Sequence, residues 1–107
     1  TFALHNDTPV TPISPLMDVF SAVNRPTSSG KVLGPDQRID VMEALRGVTI
    51  NGAYMQRLED KIGSLEKGKL ADMVILDKDP TKVDPVKLKD IMVEETIVGG
   101  NTVYKRA

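Results

Sequence analysis

The spacing of apolar residues changes once in this chain, near residue 61, and that change bounds the fold more tightly than any other feature. Before it, apolar residues recur at helical intervals; after it they run together or alternate, as strands do. The chain is therefore expected to be α+β, with a helical part over residues 1–61 and a β-rich part over residues 62–107. At 107 residues it holds one domain or a piece of one. With two Phe, two Tyr and no Trp, its core must be aliphatic, and Met17, Met42, Met55, Met73 and Met92 are expected to help fill it.

In the helical part, Phe2 to Leu4 is a short apolar stretch expected to form a strand ending near Asp7, where Asp7-Thr8-Pro9 stops it. Ser14 before Pro15 opens a helix: the serine caps an unpaired amide, and proline lacks the N–H that would have gone unpaired. Leu16, Phe20 and Val23, flanked by Met17 and Val19, mark one buried stripe, and Arg25-Pro26 ends the helix near Asn24. Residues 27 to 38, with Ser28-Ser29-Gly30 and Gly34-Pro35, show no periodicity and are expected to form a long flexible loop. Asp40 with Glu43 is a capping box for a second helix over Val41, Ala44, Leu45 and Val48, with Asn51-Gly52 as its stop. Residues 53 to 58 add a further turn or two that buries Tyr54 or Met55.

In the second part, Glu66-Lys67-Gly68-Lys69 is a turn, and the apolar run through Leu76 predicts a buried strand. Asp84-Pro85 opens one helical turn through Leu88, and residues 91 to 93 are a candidate short strand. Thr96-Ile97-Val98, Gly99-Gly100-Asn101 and Thr102-Val103-Tyr104 spell a hairpin, because tight turns need residues that tolerate positive φ. Asp72, a carboxylate inside an apolar run, is expected to bond backbone amides of a neighbouring turn, since burying it otherwise is costly.

Composition removes several function classes. Fourteen basic against fifteen acidic residues, with no block of either sign, lack the footprint of a nucleic-acid binder. No cysteine means no disulfide framework, thiolate ligand or cysteine nucleophile. No apolar run approaches the roughly 20 residues of a membrane span, and a cytoplasmic protein with no membrane partner is expected. The chain opens on Thr1 rather than Met and runs straight into apolar residues, as an excised segment would.

Few residues are left to carry chemistry. The single histidine, His5, lies two before Asp7, so on a strand the two share a face. Two readings of Asp7 stand together. It is a carboxylate at the end of a strand, where α/β enzymes place bases and metal ligands, or it is a turn former bonding the amide two residues on. Two donors make a poor zinc site, which needs three or four. Ser14, Ser28 and Ser29 lack a nucleophile elbow, and the glycines at 63, 68, 99 and 100 lack the strand, loop, helix order of a phosphate-binding loop.

The stretch from Gly63-Ser64-Leu65-Glu66-Lys67-Gly68-Lys69 through Leu70-Ala71-Asp72-Met73-Val74-Ile75-Leu76-Asp77 resembles the C-terminal signature of the metal-dependent amidohydrolases. Asp7-Thr8-Pro9-Val10, Val32-Leu33-Gly34-Pro35, Asp79-Pro80 and Thr96-Ile97-Val98-Gly99-Gly100 are similar to the subgroup that includes N-substituted formamide deformylase. The resemblance implies the last strand and following helices of a (β/α)8 barrel over residues 1–61, then the C-terminal strands of a small β-sandwich over residues 62–107. It implies a parent enzyme that hydrolyses an amide or related non-peptide C–N bond of a small molecule. A divalent metal, zinc foremost, would be held by histidines outside this chain, and no cofactor is expected on the chain by itself. Asp7 matches the aspartate that binds or orients the hydrolytic water and passes its proton to the leaving nitrogen, as a metal ligand only beside ligands from elsewhere. His5 stands where glycine is commoner and is given only contacts around that centre. A homo-oligomer is compatible with this reading. The alternative is a binding or regulatory protein on the same scaffold without catalysis.

Overall fold

The helices form where the caps placed them. In the computed structural model, which describes residues 1–107, helix α1 spans Pro15–Asn24. Ser14 is extended at φ −155°, and the Met17 amide donates to its Oγ at 3.3 Å. Arg25 stops the helix in the left-handed conformation, φ 51°, its amide bonding the Ser21 carbonyl at 2.8 Å. Val19 and Val23 turn inward and meet Ala44, Leu88 and Ile91 in the main core, with Leu16 and Phe20 packed at its margin. Leu88 and Ile91 come from the far side of the sequence. Asp84 caps the 3₁₀ turn Pro85–Asp90, accepting from the Val86 amide at 3.2 Å, and that turn drives Leu88 fully under α1. Burying such a side chain contributes about 1.5–3 kcal/mol, and Asn24 fastens the contact by donating to the Pro85 carbonyl at 2.9 Å.

Helix α2 spans Val41–Gly47 and α3 spans Ile50–Met55. Asp40 caps α2 as expected, its Oδ1 accepting from the Glu43 amide at 2.9 Å. The stop expected at Asn51-Gly52 is wrong: the break falls at Val48 and Thr49, and α3 runs through the Asn-Gly pair. Its cause lies far away in sequence. Leu4 and Phe2 lie so close to Gly47 that a Cβ there would be 3.2 Å from both side chains, and the Leu4 amide donates to the Gly47 carbonyl at 2.9 Å. A helix continuing past Gly47 would claim that carbonyl for itself. Helix α3 buries Ala53, while Tyr54 and Met55, expected inside, are exposed.

Phe2 to Leu4 is not a strand. The Leu4 amide has one backbone partner, Gly47, and a strand needs a ladder from a neighbour that this chain does not supply. The loop after α1 is more ordered than its composition predicts. Pro26 and Val32 form an antiparallel bridge, the Thr27 amide donates to the Lys31 carbonyl at 2.7 Å, and a 3₁₀ turn follows at Pro35–Gln37.

Strands β1 (Met73–Leu76), β2 (Val93–Val98) and β3 (Asn101–Lys105) form one antiparallel sheet in the order β1-β2-β3. Met73 faces Ile97, and Val98 faces Asn101 across the expected hairpin, whose turn is Gly99 and Gly100 at φ 56° and 83°. Residues 91 to 93 do not make a separate strand; Ile91 enters the core, and Val93 begins β2. Strand β1 is shorter than expected and is not buried, for Met73, Val74 and Ile75 remain between 36% and 51% exposed. Only Leu76, at its end, packs against the main core. The five methionines share this fate: each is at least 36% exposed, so they do not fill the core as expected.

Candidate functional site

The stretch from His5 to Asp18 gathers the residues the sequence singles out. Asp7 sits in the left-handed region at φ 52°, which aspartate tolerates better than most residues. Its amide donates to His5 Nδ1 at 3.1 Å, and its carbonyl accepts from the Val10 amide at 2.9 Å. His5 and Asp7 are thus brought together, through an imidazole nitrogen and a main-chain amide rather than a shared strand face. This bond occupies Nδ1 as an acceptor, so a neutral His5 carries its proton on Nε2. Proline at position 9 has no amide, so Asp7 cannot bond the backbone two residues on, and its exposed carboxylate accepts no hydrogen bond from the chain. The turn itself is present, closed by the Val10 amide on the Asp7 carbonyl, but the side-chain bond expected of it does not form, and the carboxylate faces solvent.

Three residues that the sequence did not single out, Asn6, Thr11 and Asp18, hold this turn. Asn6, half-buried, accepts from the Ser14 amide at 3.0 Å through Oδ1 and donates through Nδ2 to the Ser14 carbonyl at 3.2 Å. The same Nδ2 reaches Asp18 Oδ1 at 2.8 Å, and Thr11 Oγ1 donates to the Asn6 carbonyl. Burial pushes the Asp18 carboxyl above its ordinary range, with nearby His5 opposing the shift. The available signal was an asparagine just ahead of the aspartate and a cap serine eight residues on, which is too general to single out Asn6.

The remaining candidates resolve into structural roles. Ser14 is the helix cap, and Ser29 pairs with Thr27 inside the loop at 2.9 Å. Asp72 does what a carboxylate in an apolar run must: its Oδ1 accepts from the Gly99 amide at 2.7 Å, tying β1 to the hairpin turn. Lys69 Nζ donates to Ser64 Oγ at 2.6 Å and pairs with Glu66 at 2.9 Å, pinning the turn before β1. The Ser64 hydroxyl and Lys69 together pull the Glu66 carboxyl below its ordinary range.

No three His, Asp or Glu side chains converge as a metal would need. One free carboxylate and one imidazole with an engaged nitrogen do not fit a complete metal centre, so no chemical step through a metal is derived from these residues.

The sequence pattern of the amidohydrolase family matches residues 1–104. The chain belongs to that family. An N-substituted formamide deformylase of Arthrobacter pascens is 36% identical to this amidohydrolase chain over 104 residues, covering 97% of the chain and 19% of the relative. The Arabidopsis thaliana protein LONG AFTER FAR-RED 3 is 39% identical over 105 residues, covering 95% of the chain and 18% of that protein. The crystal structure of an amidohydrolase from Thermotoga maritima superposes with a TM-score of 0.73 at 28% identity, covering 97% of the chain and 23% of the solved one. The chain thus spans about a fifth of the length of the relatives it matches.

Proposed function

We propose that this chain is the part of a metal-dependent amidohydrolase that supplies the water-activating carboxylate, Asp7, for hydrolysis of an amide or related non-peptide C–N bond in a small molecule. The observation that carries the reading is Asp7 itself: exposed, fixed through its main chain, and without a hydrogen bond to its carboxylate, inside a stretch that matches the family from residue 1. A carboxylate placed so accepts a proton from the attacking water and returns it to the leaving nitrogen, which must be protonated to depart. His5, bonded to the Asp7 amide, fixes the turn and touches no reacting atom. A divalent metal, with zinc the expected ion, would polarise the carbonyl and acidify the water, its other ligands lying outside these residues.

In the same reading, residues 1–61 close a (β/α)8 barrel and residues 62–107 form part of a small β-sandwich. Two observations support this: the Phe2 to Leu4 segment has no strand partner in the chain, and the three-stranded sheet leaves most of β1 and all of β3 exposed, with both open at their edges. The compartment proposed for the whole protein is the cytoplasm.

The test is Asp7→Asn in the full-length protein, on a substrate the wild type hydrolyses. Asparagine keeps the size, and no hydrogen bond to the carboxylate is lost, so the melting temperature is expected to hold. The amide cannot take a proton, so kcat is expected to fall by about 10² to 10⁴. Retained turnover would remove Asp7 from the mechanism. A full-length protein that hydrolyses none of a broad panel of amides would instead favour a binding or regulatory role.

A further inference from the structure

The Asp7 carboxylate makes no bond of its own to the chain, so the backbone around it decides where it stands. That backbone is held chiefly through Asn6. Its side-chain amide matches both main-chain groups of Ser14, accepting from the N–H at 3.0 Å and donating to the C=O at 3.2 Å. It also reaches one turn into α1, to Asp18 Oδ1 at 2.8 Å. Helix α1 is the best-anchored element near the site, since Val19 and Val23 lie in the main core. The Asn6 and Asp7 Cα atoms are about 3.8 Å apart across a trans peptide, so the rigidity of α1 reaches Asp7 through a single residue.

We propose that Asn6 is a positioning residue for Asp7, clamping residues 5–7 to the first turn of α1 with Asp18 as its helical anchor. The inference rests on the reading of Asp7 given above. It goes further in assigning functional roles to two residues whose hydrogen bonds could otherwise serve stability alone. The two roles differ in a measurable way: a clamp that matters only for stability weakens every variant alike, whereas a clamp that aims Asp7 has nothing left to aim once that carboxylate is gone.

The experiment is a double-mutant cycle in the full-length protein on a substrate the wild type hydrolyses, with thermal unfolding followed in parallel. Asn6→Ala is expected to lower kcat by about 10- to 100-fold, the size of effect that misplacing a reacting group by about 1 Å produces. KM should stay within about threefold, since ground-state binding is not the target. Placed in the Asp7→Asn background, Asn6→Ala should change the residual kcat by less than about twofold. Asp18→Asn, which keeps an oxygen for Asn6 Nδ2, should recover most of the turnover that Asp18→Ala loses; this pair carries the test should Asn6→Ala fail to fold. An equal loss from Asn6→Ala in both backgrounds would overturn the positioning role, as would full activity of Asn6→Ala where Asp7→Asn is inactive; in either case the reading of Asp7 survives. Full activity of Asp7→Asn would instead overturn that reading, and the positioning role with it.

Discussion

Three glycines offer an internal calibration of how tightly the two parts of the chain are joined. Gly63 packs against α3: a Cβ built there would lie 2.7 Å from the Ala53 Cβ and 3.0 Å from the Ile50 Cα, at φ 93°. Gly68 has nearly the same backbone, φ 97°, but nothing within 4 Å. Gly52 lies inside α3, also in open space and with φ outside the positive region. Alanine at Gly68 should therefore cost only the left-handed penalty, roughly 1–2 kcal/mol. Alanine at Gly63 incurs the same penalty, and because Ile50 meets it with backbone, which cannot swing aside, overpacking adds about 1–3 kcal/mol. Alanine at Gly52 should stabilise by about 0.5–1 kcal/mol, the usual gain over glycine inside a helix. Urea unfolding followed by circular dichroism ranks the three variants provided their m values agree. The expected order of stability is Gly52→Ala, wild type, Gly68→Ala, Gly63→Ala. Were Gly63→Ala as stable as Gly68→Ala, the close contact between the pre-sheet turn and α3 would be refuted.

Asp40→Ala should cost about 1 kcal/mol by removing the cap of α2; an unchanged denaturation midpoint would show that the cap carries no stability. The raised pKa of Asp18 means that the folded chain holds this proton more tightly than the unfolded one. Its stabilising effect is therefore complete below the ordinary aspartate pKa and is lost as pH rises through the folded-state value. Asp18→Asn should accordingly be more stable than wild type at neutral pH, with the gain vanishing in acid; a gain independent of pH would contradict the assignment to burial. Titrated with zinc in a calorimeter, the 107-residue chain should show no stoichiometric micromolar binding, because it lacks three converging ligands. A tight one-to-one isotherm would place a complete site within these residues.

What could be read from the sequence divides by range. Ser14-Pro15, Asp40 and Gly99-Gly100 act within a few residues of themselves, and all three did what their types dictate. Asp72 was legible for a different reason: a carboxylate in an apolar run must find donors, and the hairpin turn is the nearest supply. The helix break at Val48 and Thr49 was illegible because Phe2 and Leu4 impose it from more than forty residues away, while the local Asn-Gly signal pointed elsewhere. The exposure of Met73, Val74 and Ile75 was misread because an apolar run reports what a strand is suited to touch, not whether the chain supplies it. At the candidate site, Asp7 could be named from its motif and its resemblance. Asn6 could not, since its partners Ser14 and Asp18 come alongside only when the loop folds back onto α1.

The interruption between α2 and α3 does more than divide a helix. A helical carbonyl is normally spoken for, and a side chain normally holds neighbours away from the helix axis; at Gly47 both conditions lapse together. The Phe2 to Leu4 segment can therefore lie against bare backbone, with Leu4 hydrogen-bonded to it, only three residues ahead of Asp7. Position 47 thus acts as a spacer of fixed thickness for the start of the chain. A methyl group there would meet the Leu4 and Phe2 side chains at 3.2 Å, so both would have to give by a few tenths of an ångström. The glycine that ends α2 in this way sets how closely the first residues of the chain pack on the helices.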